Sequence, residues 1–169
     1  TVIGPTQICF PAWSESSRQY FVLPARQVIE DLERSWSVKD KNKLIYKKGF
    51  KNIFQEADEE YPHIAFSQDG SELYVIHEIR DKQIFGRYNL QSEKWSWEPL
   101  APYFDRIHSM DVADKGRLVL SATVNGVSDL FLYYISTKQS VRITNDYFDD
   151  LDAKYAVLNN TKGIIFTSN

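Results

Sequence analysis

Several residue types and patterns are scarce in this sequence, and each shortage excludes a class of protein. The 169 residues include one cysteine, Cys9, so an internal disulfide cannot form. Twenty basic residues against 23 acidic ones give a net charge of -3, without the basic excess typical of a nucleic-acid-binding face. No apolar run approaches the roughly 18 residues of a membrane-spanning helix. We therefore predict a chain that does not bind nucleic acid and does not span a membrane.

Aromatic residues, in contrast, are abundant. The chain contains ten Tyr, ten Phe and four Trp but a single Met. Flat rings and β-branched side chains fit the pleated surface of a strand better than the surface of a helix. Cys9 lies in the apolar run Ile8–Phe10, which favours a small buried side chain over a reactive thiol. The composition therefore indicates a mainly all-β fold.

One pattern occurs three times: a short alternating strand, a polar turn, and a more apolar strand. The copies are His63–Phe66 with Leu73–Ile76, Ser109–Val112 with Leu118–Ser121, and Lys154–Leu158 with Ile164–Thr167. Phe66 and Val112 are 46 residues apart, and Val112 and Val157 are 45 apart. A period this steady is the signature of a repeat architecture, in which each unit buries its apolar faces against its neighbours.

Two further strands complete each repeat. Asn125-Gly126 is a strong signal for a two-residue hairpin, because both residues accept a positive φ. A third strand, Asp129–Ile135, and a short fourth strand, Val141–Thr144, follow it. In the preceding repeat, Gln83–Asn89 and Trp95–Glu98 are their counterparts. Four-stranded antiparallel units of about 45 residues are typical of β-propeller blades.

These repeats predict a single domain that forms a partial β-propeller. Its expected parts are an irregular blade region at 1–56, blades at 57–100 and 103–144, and a half blade at 145–169. One short helix is expected near residues 24–34, because Pro24 suits an early helical position and the apolar residues that follow it share one face.

Short motifs point to a family. They are Arg142–Asp146, Asp149–Asp152, Ile164–Asn169, Pro11–Ser14 and Phe66–Gly70. Together they resemble the TolB-type propeller repeat, which reads approximately Leu-Thr-x-Asp, then Asp-x-x-Pro-x-Trp-Ser-Pro-Asp-Gly, then an apolar strand. The third copy departs from this pattern, because Ala153 replaces the usual Pro. The resemblance implies a fragment of a larger TolB-like bacterial protein, located in the periplasm or cell envelope. We expect no cofactor.

Three functions fit such a propeller. The first is a non-catalytic module that binds a protein or peptide partner, or other domains of its parent chain. The second is an accessory or gating propeller of a larger peptidase or hydrolase whose catalytic domain lies outside this chain. The third is a carbohydrate-binding propeller. We expect no enzymatic activity in the chain itself: the nearest approach to a Gly-x-Ser-x-Gly motif is Gly126-Val127-Ser128, where turn chemistry explains the serine.

Six residues are candidates to face a channel or a partner. His63 and His108 occupy similar strand positions 45 residues apart and could face one central channel, although half-buried histidines with local hydrogen bonds would give the same pattern. Asp149 and Asp150 lie in the acidic run 146–152, which either orders the connection between blades or supplies oxygen ligands to calcium. Trp95 and Trp97 share a strand face and could stack on a sugar or pack against a neighbouring element.

Overall fold

A computed structural model describes the chain at residues 2–3, 7–13, 18–24, 51–56, 62–79, 82–101, 104–114 and 116–169. Contacts divide the chain into two compact units, Thr1–Glu60 and Tyr61–Asn169. Before residue 62, Cys9 is the residue whose side chain is described. None of the described residues belongs to a helix long and apolar enough to cross a membrane.

The first unit contains one four-stranded antiparallel sheet. Its strands lie in chain order and are β1 (Val2–Ile3), β2 (Gln7–Trp13), β3 (Arg18–Pro24) and β4 (Lys51–Glu56). Cys9 is buried in β2, and burial raises the pKa of its thiol to about 12, as expected for a packing residue rather than a nucleophile. Pro24 ends β3, and the remainder of the helix predicted near residues 24–34 lies outside the described residues.

The second unit contains two four-stranded antiparallel sheets and a hairpin. The first sheet has β5 (His63–Phe66), β6 (Glu72–Ile79), β7 (Lys82–Asn89) and β8 (Lys94–Pro99). The second has β9 (Arg106–Asp114), β10 (Arg117–Val124), β11 (Val127–Tyr134) and β12 (Gln139–Arg142). The hairpin has β13 (Asp150–Leu158) and β14 (Thr161–Ser168). The prediction of four-stranded antiparallel blades is confirmed. That the whole chain forms a single domain with the predicted blade boundaries stays a prediction.

Local chemistry sets the turns between these strands. Asn125 and Gly126 both have positive φ, 53° and 79°, and join β10 to β11 as a two-residue hairpin, as predicted. In the β5–β6 turn, Asp69 accepts hydrogen bonds from the Ser67 hydroxyl at 2.7 Å and from the Ser71 backbone N–H at 3.0 Å. These bonds hold the pKa of Asp69 down at about 2, so the carboxylate stays charged and keeps the turn closed.

An apolar core fills the space between the β5–β8 sheet and the β9–β12 sheet. Phe85 is fully buried in it, with its ring 5.9 Å from the ring of Tyr133 in an edge-on arrangement and 5.7 Å from the ring of Tyr74. Phe104 packs edge-on against Phe131 at 4.9 Å. Rings in such orientations stabilise the contact beyond the apolar area that they bury. The abundance of aromatic residues therefore has a structural cause: rings join one sheet to the next.

A smaller core joins the β9–β12 sheet to the β13–β14 hairpin. It consists of Ala113, Val119, Leu130 and Ala153, with Leu132, Tyr155 and Ile164 packed around them. Because this core and the previous one lie on opposite sides of β10, the run from Leu118 to Ala122 is buried throughout. The middle sheet is thus covered on both faces.

The first strands of consecutive sheets lie side by side, β5 beside β9 and β9 beside β13. Side chains tie them together. The His63 ring bonds the Ile107 carbonyl at 3.0 Å, Gln68 donates to the Ala113 carbonyl at 3.0 Å, and the Tyr155 N–H donates to Asp111 at 2.8 Å. These bonds join residues 44, 45 and 44 positions apart. The sequence period is therefore also the spacing of the hydrogen bonds between neighbouring sheets.

Candidate functional site

The predicted histidines lie in adjacent first strands but make different contacts. His63, the first residue of β5, extends to the carbonyl of Ile107 in the next sheet. His108, the residue after Ile107, bonds within its own sheet, to the Thr123 hydroxyl at 2.7 Å. His63 therefore bonds across to the residue that precedes His108 in β9. Both side chains are half-buried.

His108 belongs to a polar cluster at the end of the sheet where β10 turns into β11. The Thr123 and Ser128 hydroxyls lie 3.0 Å apart, and the Ser128 hydroxyl is 3.5 Å from Nε2 of His108. The backbone N–H of Ser128 donates to Oδ1 of Asp149 at 3.1 Å. The cluster therefore links β9, β10 and β11 to the connection that leads into β13.

This cluster contains a serine, a histidine and an aspartate, but their arrangement is not that of a catalytic triad. In a triad the aspartate accepts the second ring N–H of the histidine, which fixes its tautomer. Asp149 accepts the backbone N–H of Ser128 instead. Thr123 also occupies the closer position on Nε2 of His108, and 3.5 Å is long for a hydrogen bond from the serine. These contacts tie Asp149 to the hairpin that carries Ser128.

The environment of His108 favours its neutral form. Burial, followed by the positive charge of Arg106, lowers the pKa of His108 below its ordinary value of 6.5. The charges of Asp149 and Asp152 act in the opposite direction and are the weaker influence. At neutral pH the ring is therefore uncharged, and it can accept a hydrogen bond from the Thr123 hydroxyl.

The predicted acidic residues Asp149 and Asp150 are adjacent in sequence but lie in different environments. Asp149 is exposed, and its backbone exchanges two hydrogen bonds with Asn169, at 3.3 and 3.2 Å. Asp150 is 1% exposed and begins β13, and its carbonyl accepts a hydrogen bond from the Ser121 hydroxyl at 2.7 Å. Both carboxylate oxygens of Asp150 are buried without a hydrogen-bond partner among the described residues. In the described part of the chain, no group of three or more His, Cys, Asp or Glu residues could hold a metal ion.

The loop before Asp149 presents two aromatic residues that the sequence analysis did not select. Tyr147 is fully exposed, and Phe148 is 57% exposed. The Phe148 N–H donates to the Asp146 carboxylate at 2.9 Å, which shapes the loop locally. The signal was available in the sequence as two consecutive aromatic residues inside an acidic run. We call residues 146–149, together with Asp152, the acidic aromatic loop.

Trp95 and Trp97 stack on each other along β8. Their ring centroids are 4.4 Å apart with an interplanar angle of 17°, and Trp95 also lies 5.0 Å from the ring of Tyr88. Trp97 covers Gly86 of β7, where an added Cβ would come within 2.3 Å of the indole ring. Trp97 keeps 44% of its surface exposed, which leaves part of its side chain accessible. Binding of a sugar to this ring stays a prediction.

Replacing Gly86 with alanine should disturb the tryptophan stack. The new methyl group would overlap the Trp97 ring, and overpacking of this kind costs about 1–3 kcal/mol of unfolding free energy. We expect a lower urea midpoint together with a changed near-ultraviolet circular dichroism spectrum. Gly163→Ala is the control, because its added Cβ meets no atom within 4 Å apart from its chain neighbours, so it should neither lower the urea midpoint nor change the spectrum. Equal effects of the two substitutions would contradict the packing described.

The lowered pKa of His108 leads to a prediction about how the stability of the fold depends on pH. The unfolded chain binds this proton more readily than the folded one, so stability falls as pH drops from about 6.5 to the lower pKa of the folded state. An NMR titration of the imidazole should give a midpoint below 6.5, and His108→Gln should weaken the fall in unfolding free energy over this range. A midpoint above 6.5 would contradict the prediction, because it would show that Asp149 and Asp152 affect the pKa of His108 more than burial does.

Comparison with known proteins places this fold. No protein-family model and no curated protein sequence matches the chain. Among solved structures, TolB from Acinetobacter baumannii matches with a TM-score of 0.59 and 11% identity, over 96% of this chain and 39% of TolB. A puromycin hydrolase mutant complexed with PGG aligns with 95% of this chain, over 31% of its own length, at 9% identity. Its TM-score of 0.34 is too low to support an argument. The chain, which spans about two-fifths of the TolB structure, has a fold similar to the TolB β-propeller.

Proposed function

We propose that this chain is a non-catalytic propeller module that binds a protein or peptide partner through the acidic aromatic loop. The observation that carries the proposal is the exposure of Tyr147 and Phe148 on a tethered loop. Exposed aromatic side chains cost free energy in water, and such residues dominate the binding energy of many interfaces. A bacterial cell-envelope location, implied by the resemblance to TolB-type repeats, is part of this proposal.

The loop is anchored at its end, and this anchoring supports a role in binding. The Ser128 N–H holds Asp149 on one side, and the backbone of Asn169 holds it on the other. A loop fixed at its end loses less conformational entropy on binding than a free one. Tyr147 and Phe148 are thus presented from a rigid base formed by the ends of β11, β13 and β14.

Charge indicates the chemistry of the partner. Asp146 and Asp149 flank Tyr147 and Phe148 in the chain, Asp152 follows them in β13, and all three are exposed. Carboxylates beside aromatic faces attract a guanidinium or ammonium group, which gains both charge pairing and a cation–π contact. We therefore infer a basic segment, with Arg or Lys next to an apolar residue, as the partner of this loop.

The absence of catalysis in this chain is a second part of the proposal. Its support is the geometry of Ser128, which bonds Thr123 and has its backbone, not its histidine neighbour, bonded to the aspartate. With peptidase and esterase substrates, the unchanged protein should show no more turnover than its Ser128→Ala variant. Turnover that disappears in this variant would reverse the assignment.

Binding should be measured by fluorescence anisotropy with synthetic peptides that alternate Arg with Phe, beside matched peptides carrying Asp for Arg. The basic peptides should bind and should weaken with added salt. The double variant Tyr147→Ser, Phe148→Ser should lose roughly tenfold or more in affinity, as expected for hot-spot aromatic residues. Val141→Ser is the matched control, because Val141 is exposed on β12, outside the loop. Equal binding of basic and acidic peptides would contradict the proposal.

A further inference from the structure

The acidic aromatic loop and the His108 ring are connected through one residue, Ser128. The Ser128 N–H donates to Oδ1 of Asp149 at 3.1 Å, and the Ser128 hydroxyl lies 3.5 Å from Nε2 of His108. Both contacts start from the same serine, whose own bonds are short, so the Asp149 carboxylate and the imidazole are at most about 10 Å apart. The loop is therefore anchored within reach of a group that gains and loses a proton.

A charge on the His108 ring acts on the loop over this distance. At low salt the screening length exceeds a separation of about 10 Å, so two charges still interact across it. Asp149 and Asp152, both part of the acidic aromatic loop, favour the protonated form of the half-buried ring. A proton on His108 and a cation bound at the loop therefore interact with the same carboxylates, and each makes the other less favourable.

The other charged or titratable groups around His108 come from three strands. On β9 itself, Arg106 adds a positive charge that lowers the pKa of His108. From β5, the His63 ring reaches the carbonyl of the residue before His108. The charged residue of β10, Arg117, begins that strand, at the opposite end from the polar cluster. From β13, Asp152 is the residue whose charge acts on the ring.

We propose that His108 regulates the acidic aromatic loop by taking up a proton, which weakens the binding of a basic segment there. The inference rests on the proposed binding of such a segment. With a neutral ring, the loop carboxylates present their full charge to an incoming guanidinium group. With a protonated ring, part of that charge is balanced within the chain, so a basic partner gains less on binding.

The coupling must act in both directions. Two ligands that affect each other's binding do so by the same factor, and here one of the ligands is a proton. A bound basic segment therefore makes the His108 ring harder to protonate. Acidification then releases the segment, and binding of the segment releases a proton from the fraction of protonated rings.

Fluorescence anisotropy with the Arg–Phe peptide, capped at both ends, measures the coupling, because arginine stays charged throughout. Affinity is compared at low salt between neutral pH and about one pH unit below the His108 midpoint of the free protein, where most rings are protonated. The unchanged protein should lose roughly three- to tenfold more affinity between these conditions than His108→Gln does. The glutamine variant keeps the aspartates and so corrects for their titration. His77→Gln, on β6, is the matched histidine control and should keep the full pH response.

NMR measures the reverse effect on the imidazole itself. Saturation with the peptide should lower the His108 midpoint by about half to one pH unit, which corresponds to the same factor. Without peptide, the double variant Asp149→Asn, Asp152→Asn should also lower it, because the two charges that favour the protonated ring are gone. Asparagine retains an oxygen that can accept the Ser128 N–H, and circular dichroism at each pH confirms that every variant is folded.

The outcomes separate this inference from the proposed function. If the peptide binds but the unchanged protein and His108→Gln respond equally to pH, the inference is overturned and the proposed function stands. A His108 midpoint that stays unchanged on saturation, or in the double asparagine variant, would overturn the inference as well. A peptide that fails to bind at neutral pH would overturn the proposed function, and this regulation with it.

Discussion

The second unit depends on one constraint: each of its sheets has an apolar face that must be covered by the next sheet. The β10 run from Leu118 to Ala122 shows this most directly, because cores on both sides bury it. The β5–β8 sheet covers one face with Phe85 and Tyr74, and the β13–β14 hairpin covers the other with Ala153 and Ile164. Hydrogen bonds between first strands then fix how neighbouring sheets are aligned.

The acidic aromatic loop lies on a part of the second unit that the stacked sheets leave uncovered. The acidic aromatic loop occupies the end of the sheets, where a connection rather than a strand covers the polar cluster.

The sequence predicted the strands and their repeat well because period-two alternation and the Asn125-Gly126 turn are local signals. It predicted the third hairpin less well. The second strand of this hairpin was expected to begin at Ile164, whereas Asn159 and Asn160 make the turn with φ of 48° and 62°, and Gly163 already lies within β14. Both asparagines tolerate the left-handed conformation, so two residues sufficed where a longer turn was expected.

The candidate site was harder to predict, because its contacts join residues distant in sequence. His108 was selected for its symmetry with His63, but its partners Thr123 and Ser128 come from a hairpin whose packing no local pattern encodes. Asp149 and Asp150 are adjacent and looked equivalent, yet one is exposed and the other is buried at the start of a strand. Tyr147 and Phe148 were missed because aromatic residues in a β-rich sequence are expected in the core.

Native-state hydrogen exchange in increasing urea tests the central constraint most directly. If the sheets are stable only by covering one another, the slowest amides of β6 and β7 should exchange through the same opening as those of β10 and β11. Both sets should then give the same free energy and the same dependence on urea. Exchange of the β5–β8 sheet through a separate opening of clearly lower free energy, with β10 and β11 still protected, would contradict the account.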